Sequence, residues 1–191
     1  LPVLNSLPGE SASVNVTMGY PVDATPAFSL LLSLIGLQQN ARQRDGGAVF
    51  YYQDVLAILN HQYMGVFTNE QVTRLNESIH KHNKIYIGAG ELRVNELFSK
   101  IFALPEDYRS LSDYLLESYA YFYRLLREKS REEDASLQME LESIYHVYLS
   151  VKRLKEIFDV QQVEVGTETY LRILERVIKN QSIPFQGEPL S

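Results

Sequence analysis

Tyr119-Ala120-Tyr121-Phe122-Tyr123-Arg124 is the stretch of this 191-residue chain whose residue types come nearest to a recognisable chemistry. Aromatic rings interleaved with a cation can stack single-stranded bases and attract the phosphates between them. Helical geometry divides the run. Tyr119, Phe122 and Tyr123 share a face that packs inward, whereas Tyr121 and Arg124 can be exposed together as a possible DNA contact. Core packing is the expected role of the run as a whole. His80-x-His82 has two imidazoles for a metal, but no third ligand lies at a recognisable spacing. Both sit at the end of an expected helix, where positive charge is favourable. Glu140 and Glu142 point to different sides of their helix and read as solvated. Gly88-Ala89-Gly90 lacks the third glycine and the βαβ unit of a dinucleotide site and reads as a turn. No catalytic, cofactor or metal residue is assigned within the chain.

The absences bound the rest. None of the ten glycines is followed by lysine, so there is no phosphate-cradling P-loop. No Gly-x-Ser-x-Gly elbow occurs, and zero cysteines exclude a thiolate nucleophile, a Cys-ligated metal and a disulfide scaffold. None of the 24 acidic residues has a lysine two positions on, which removes the acid-x-Lys signature of metal-dependent nucleases. The chain as it stands lacks the parts for ATP hydrolysis or phosphodiester cleavage. A formal net charge of −6 argues against a protein that binds nucleic acid with its whole surface, but leaves room for a local basic strip. No apolar run approaches ~18 residues, so no transmembrane helix and no membrane partner are expected. The lack of cysteine suits a reducing, cytoplasmic setting, where Asn15-Val16-Thr17 and Asn76-Glu77-Ser78 match the glycosylation sequon by chance.

Positioning these residues falls to helices. The length suits one domain, or one and a fragment, enough to bury roughly 70% of the unfolded surface. Val14, Val16 and Met18 alternate as a short strand does, and Gly19 and Pro21 stop it. Thr25 caps a helix whose first position is Pro26, with Phe28, Leu31, Leu32 and Ile35 as its inward stripe. Arg42 to Gly47 reads as a polar loop, and Ala48 to Tyr52 as a brief strand or extended lead-in. Asp54 to Leu59 follows as a short helix with Val55, Leu56 and Leu59 on one side. Thr68 and Gln71 match a capping box that opens a helix carrying Val72, Leu75 and Ile79 inward. Lys84 to Ile87 reads as extended, and Leu92 to Leu104 as a helix stopped by Pro105. Ser110 then caps a long helix with Leu111, Leu115, Tyr119, Phe122 and Leu126 on a single face. Lys129 to Asp134 turns the chain into a second long helix, Ala135 to Gln161. Its Leu137, Leu141, Ile144, Tyr148, Val151, Leu154 and Phe158 have the spacing of a helical-hairpin seam. Gly166-Thr167 starts a last helix with Tyr170, Leu171, Leu174, Val177 and Ile178 buried. The expected fold class is mainly α: a multi-helix domain with a long helical hairpin and one or two short edge strands.

The order of segments carries a resemblance. Asn15-Val16-Thr17-Met18-Gly19-Tyr20-Pro21, then Thr25-Pro26 and a Leu-rich helix, then Tyr52-Gln53-Asp54-Val55-Leu56-Ala57-Ile58-Leu59-Asn60-His61, resembles the AddB/RecB-like helicase–nucleases. These are UvrD-like superfamily 1 helicases with a C-terminal PD-(D/E)XK nuclease domain. At the far end, Ile183-Pro184-Phe185-Gln186-Gly187-Glu188-Pro189-Leu190 looks like that family's return into the motor domain. The resemblance is strong at 14–62 and 180–190 and loose between, and its motifs are structural rather than catalytic. It implies a helical, 2B-like accessory domain at 27–181, a motor-domain remnant and hinge strand at 1–26, and the start of the return at 182–191. Gly19, Tyr20, Pro21 and Pro184 would then be hinge residues. Leu1-Pro2-Val3-Leu4 lacks a methionine and Ser182 to Ser191 stops in mid-pattern, so both ends read as cut. The implied function is a non-catalytic part of an ATP-dependent enzyme of DNA double-strand-break repair, contacting DNA or bracing a second helicase–nuclease subunit. ATP and Mg belong to the parent enzyme and not to this piece. The alternative is a helical protein–protein interaction scaffold that binds no nucleic acid.

Overall fold

A computed structural model describes residues 19–66, 70–82, 84–129 and 135–183 of the chain. Its elements in order are β1 (Tyr20–Pro21), α1 (Pro26–Asn40), β2 (Arg42–Arg44), β3 (Gly47–Tyr51), α2 (Tyr52–Leu59) and α3 (Glu70–His82). Then come β4 (Tyr86–Gly88), α4 (Ala89–Leu92), α5 (Glu96–Ile101), α6 (Tyr108–Lys129), α7 (Ala135–Gln161), α8 (Thr167–Lys179) and β5 (Ser182–Ile183). The chain is mainly helical, with short antiparallel strands at its margin. The expected strand at Val14–Met18, the cap at Thr68, the side chain of Gln71, the middle of the joint at 130–134 and Pro184 lie outside the described residues.

Helix α1 is the centre of the packing. Pro26 occupies its first turn, and Thr25 Oγ1 accepts from the Phe28 amide at 3.2 Å while its hydroxyl donates to the Val22 carbonyl at 2.6 Å. Those bonds satisfy an amide that the helix itself leaves orphaned. Ala27, Phe28, Leu30, Leu31, Leu34, Ile35 and Leu37 are all buried, which takes in most of the circumference, as befits a helix enclosed by neighbours. Leu32, expected inside, is 40% exposed. One residue is about 100° of turn, and with Leu31 and Ile35 facing in, Leu32 falls on the outer side beside Ser29. Helices α2, α7 and α8 pack around α1.

The long hairpin forms as its seam predicts. Leu111, Leu115, Tyr119, Phe122 and Leu126 of α6 are buried against Ile144, Val147, Val151, Leu154 and Phe158 of α7. Asp113 pairs with Lys155, and Arg109 Nε donates to Asp159 Oδ1 at 3.1 Å, so the two helices run antiparallel. Leu137, Leu141 and Tyr148 are only partly buried beside this seam. The cap of α6 is Asp107 rather than Ser110: its Oδ1 accepts from the Ser110 amide at 2.7 Å. Two local breaks also differ from expectation. The stretch 92–104 is not one helix, because Asn95 Oδ1 accepts from the Phe98 amide at 2.8 Å and starts α5 afresh. Gly88-Ala89-Gly90 is not a free turn but the junction where β4 runs directly into α4. In α8, Val177 is 40% exposed while Tyr170, Leu171, Leu174 and Ile178 are buried. Leu56 of α2 is only partly buried, and Ile58 takes the inward place beside Val55 and Leu59.

Among the described residues, two small sheets complete the fold. β1 pairs with β5, Tyr20 facing Ile183 and Pro21 facing Ser182. The order β2-β3-β4 forms the second sheet, with Arg42 opposite Val49, Val49 opposite Gly88, and Tyr51 opposite Tyr86. Residues 42–47, expected as a loop, are thus the first strand and turn of a hairpin. Asp45 and Gly46 turn the chain, and Gly47 takes φ 109°, a conformation open to glycine at little cost.

Candidate nucleic-acid interface

Several places among the described residues hold side chains able to meet a ligand or a neighbouring domain. The first is the β1–β5 clasp, which contains Gly19, Tyr20 and Pro21. A Cβ added at Gly19 would sit 2.8 Å from Ser182 Cβ and 3.0 Å from the Ile183 carbonyl oxygen, so only glycine lets the two segments approach this closely. The Val22 amide donates to the Gln181 carbonyl at 3.0 Å and extends the pairing by one bond. The incoming and outgoing segments of the described chain therefore lie side by side.

The second is a groove of about 260 Å³ between the two long helices, lined by Tyr119, Ala120, Tyr123 and Arg124 of α6 and by Ile144, Tyr145 and Tyr148 of α7. Tyr119 and Phe122 are buried, but Tyr123 is only half-buried and turns one side of its ring to the groove. Arg124 is exposed, its Nε donates to the Ala120 carbonyl at 3.3 Å, and its guanidinium carbon is 5.9 Å from the Tyr121 ring centre. Tyr121 is half-buried and meets Phe122 edge-on at 6.5 Å. Arg124 thus lines a groove of aromatic rings with no carboxylate among its lining, and Tyr121 stands beside that arginine. Such a groove suits a flat or apolar group that carries negative charge nearby.

The third place is the outer face of the β2–β3–β4 sheet. Phe50 and Ile87 point inward and are buried, so alternation puts Arg42, Arg44, Val49, Tyr51 and Tyr86 on the opposite side. The guanidinium carbons of Arg42 and Arg44 lie 4.8 and 5.1 Å from the centre of the Tyr86 ring. That ring reaches from β4 across β3 to arginines on the far strand. Tyr51 stands 5.9 Å from Tyr86 and 5.0 Å from Tyr52, extending the aromatic surface. Neither arginine is paired with a carboxylate among the described residues. Asp45 lies in the adjoining turn, and Lys84 is held by Glu91 at 2.6 Å.

The remaining candidates do structural work. His61, next to none of the expected sites, is buried against the start of α1. The Tyr63 amide donates to its Nδ1 at 3.2 Å, so the ring hydrogen is on Nε2, which donates to the Pro26 carbonyl and lies 3.2 Å from Ser29 Oγ. Burial lowers its pKa, and the bond to Pro26 only partly opposes that. Tyr119 donates to the Ala27 carbonyl at 2.7 Å and Tyr114 to the Ile101 carbonyl at 2.9 Å, and burial pushes both phenols up. His80 is exposed, and the side chain of His82 lies outside the described residues. Glu140, expected in solvent, is half-buried and accepts from Gln62 Nε2 at 3.4 Å; Glu142 is half-buried too. Each is partly covered because α7 packs against α6, α1 and α8. Among the described residues, no three His, Cys, Asp or Glu side chains gather to hold a metal ion. No Gly-Lys pair of a P-loop occurs in the chain.

The Arg42–Tyr86–Arg44 arrangement has a faint sequence signal. Arg42-Gln43-Arg44 before Asp45-Gly46 is a basic strand leading into a turn pair that favours hairpins, but nothing local announces Tyr86 as its partner. Comparison with known proteins found no matching family model, no matching curated protein and no matching solved structure.

Proposed function

We propose that this chain is a non-catalytic helical accessory domain of an ATP-dependent DNA helicase–nuclease of the AddB/RecB-like kind, acting in double-strand-break repair in the cytoplasm. Its work is to contact DNA or brace a partner subunit while motor domains elsewhere translocate. The observation that carries this reading is the β1–β5 clasp: the segments that resemble the exit from and return to a motor domain are paired strand to strand. A domain whose two connections are adjacent can sit within another domain without disturbing its fold. Arg124, in the α6–α7 groove, and Tyr121 beside it are one surface for DNA, and Gly19, Tyr20 and Pro21 are the hinge.

The competing scaffold reading has its own observation. Ile157 and Val160 on the last turns of α7 are 51% and 82% exposed beside Arg153 and Glu156, an apolar spot suited to another protein. DNA affinity measured across a salt series separates the two. Phosphate contact releases counterions, so the accessory-domain reading expects affinity that falls steeply with salt. It also expects no ATP hydrolysis and no DNA cleavage by the pure chain. Undetectable DNA binding at low salt would favour the scaffold, and intrinsic ATPase or nuclease activity would overturn both. No helix among the described residues is long and apolar enough to cross a membrane.

A further inference from the structure

We propose that the outer face of the β2–β3–β4 sheet is a binding site for single-stranded DNA, with Arg42 and Arg44 on the phosphates and the Tyr51–Tyr52 edge against a base. This assignment rests on the reading that the domain touches DNA, and it places that contact on a different surface from Tyr121 and Arg124. Three observations converge on it. Two guanidiniums lie over one ring, at 4.8 and 5.1 Å, in a chain whose net charge is −6, and neither has a carboxylate partner among the described residues. Stacking on Tyr86 fixes each guanidinium while leaving its N–H donors free at the rim, where a phosphate oxygen can accept two of them.

The spacing is also suitable. Arg42 and Arg44 alternate on one face of a strand, about 6.6 Å apart along it, so consecutive phosphates of an extended strand can each meet one arginine. Tyr51 and Tyr52 are half-buried and meet edge to face at 5.0 Å, and Tyr51 stands next to Tyr86 on the outer face. Exposed ring surface at that position offers a base a stacking platform and gives an acidic peptide little, which favours nucleic acid over peptide. A paired duplex hides its bases, so the single strand is the form that uses both parts of the face.

Fluorescence anisotropy with labelled oligo(dT), comparing the whole chain with R42A/R44A, R42K/R44K and Y51A, tests this. The arginines are exposed, so the double variants should melt as the parent does. For R42A/R44A the expected result is an affinity about tenfold weaker and a salt slope smaller by about 1.4, two phosphates at about 0.7 each for a single strand. R42K/R44K should keep most of the slope, since charge is retained. Y51A should weaken binding with the slope unchanged, because stacking releases no counterions. If R42A/R44A binds as the parent does, the arginines only guard a sheet edge and the proposal fails while the accessory-domain reading stands. Arginine-dependent binding of polyglutamate that matches oligo(dT) would make the face a peptide site and overturn it. If the parent chain binds no DNA at low salt, the site falls together with the reading that the domain touches DNA.

Discussion

His61 and Tyr63 stand two residues apart and titrate in opposite directions for the same reason, which makes them sensitive reporters of the packing between α2 and α1. The unfolded imidazole titrates near 6.5, and burial lowers the native value. Between those two pH values the unfolded chain carries a proton that the native chain lacks, so stability present above pH 6.5 is lost as the pH falls below it. Geometry gives the same sign, since a proton on Nδ1 would face the Tyr63 amide that now donates to it. The thermal midpoint should therefore decline on acidification below neutrality, and His61→Gln should flatten that part of the profile. Tyr63 is 1% exposed, its hydroxyl has no hydrogen-bond partner among the described residues, and burial with the nearby Glu140 charge drives its pKa far up. Removing an unsatisfied buried hydroxyl recovers its desolvation cost, so Tyr63→Phe should raise unfolding free energy by about 1 kcal/mol in urea titration. A loss of stability in that variant would mean that the hydroxyl is satisfied.

At the scale of elements, the ends of α7 and the β1–β5 clasp make contrasting predictions about glycine. Gln162 follows α7 with φ 52°, its amide donating to Asp159 and the Val163 amide to Phe158, a Schellman ending in which Val163 also packs on the core. A left-handed conformation costs an L-residue about 1–2 kcal/mol, part of which glycine gives back as chain entropy. Gln162→Gly should thus stabilise by about 0.5 kcal/mol, visible as a higher melting temperature. The opposite holds at Gly19, where an added methyl meets Ser182 Cβ and the Ile183 backbone. Gly19→Ala should cost about 1–3 kcal/mol locally and speed exchange of the Val22 amide, with the α1 core amides unaffected.

The elements themselves differed in how much of them could be read in advance. Helix α7 runs from Ala135 to Gln161 as its apolar spacing predicts, and Thr25-Pro26 opens α1 as its cap chemistry predicts. Long amphipathic periods and local capping are written in neighbouring residues. Strand β2 is not, because Arg42, Gln43 and Arg44 are all exposed on a sheet edge and show no alternation. The break before α5 turns on one asparagine cap, which a continuous apolar pattern masks. Tyr121 and Arg124 could be paired from helical spacing alone, whereas Tyr86 meets Arg42 and Arg44 only through sheet pairing across β3. Contacts built by tertiary pairing leave no local trace.

For the molecule as a whole, the clasp between β1 and β5 has a mechanical consequence. Tyr20 faces Ile183, so the two chain directions leave the sheet from the same end, and their hydrogen bonds lie across the strands. Tension pulling the two connections apart would load those bonds one after another, as in opening a zip, instead of shearing them together. Stretched from its two ends in an optical trap, the domain should first yield at low force by releasing residues 19–22 and 181–183. The helical core around α1 should give way only later, in a separate and larger step. A load applied through the two connections would meet a soft latch in series with a stiff body.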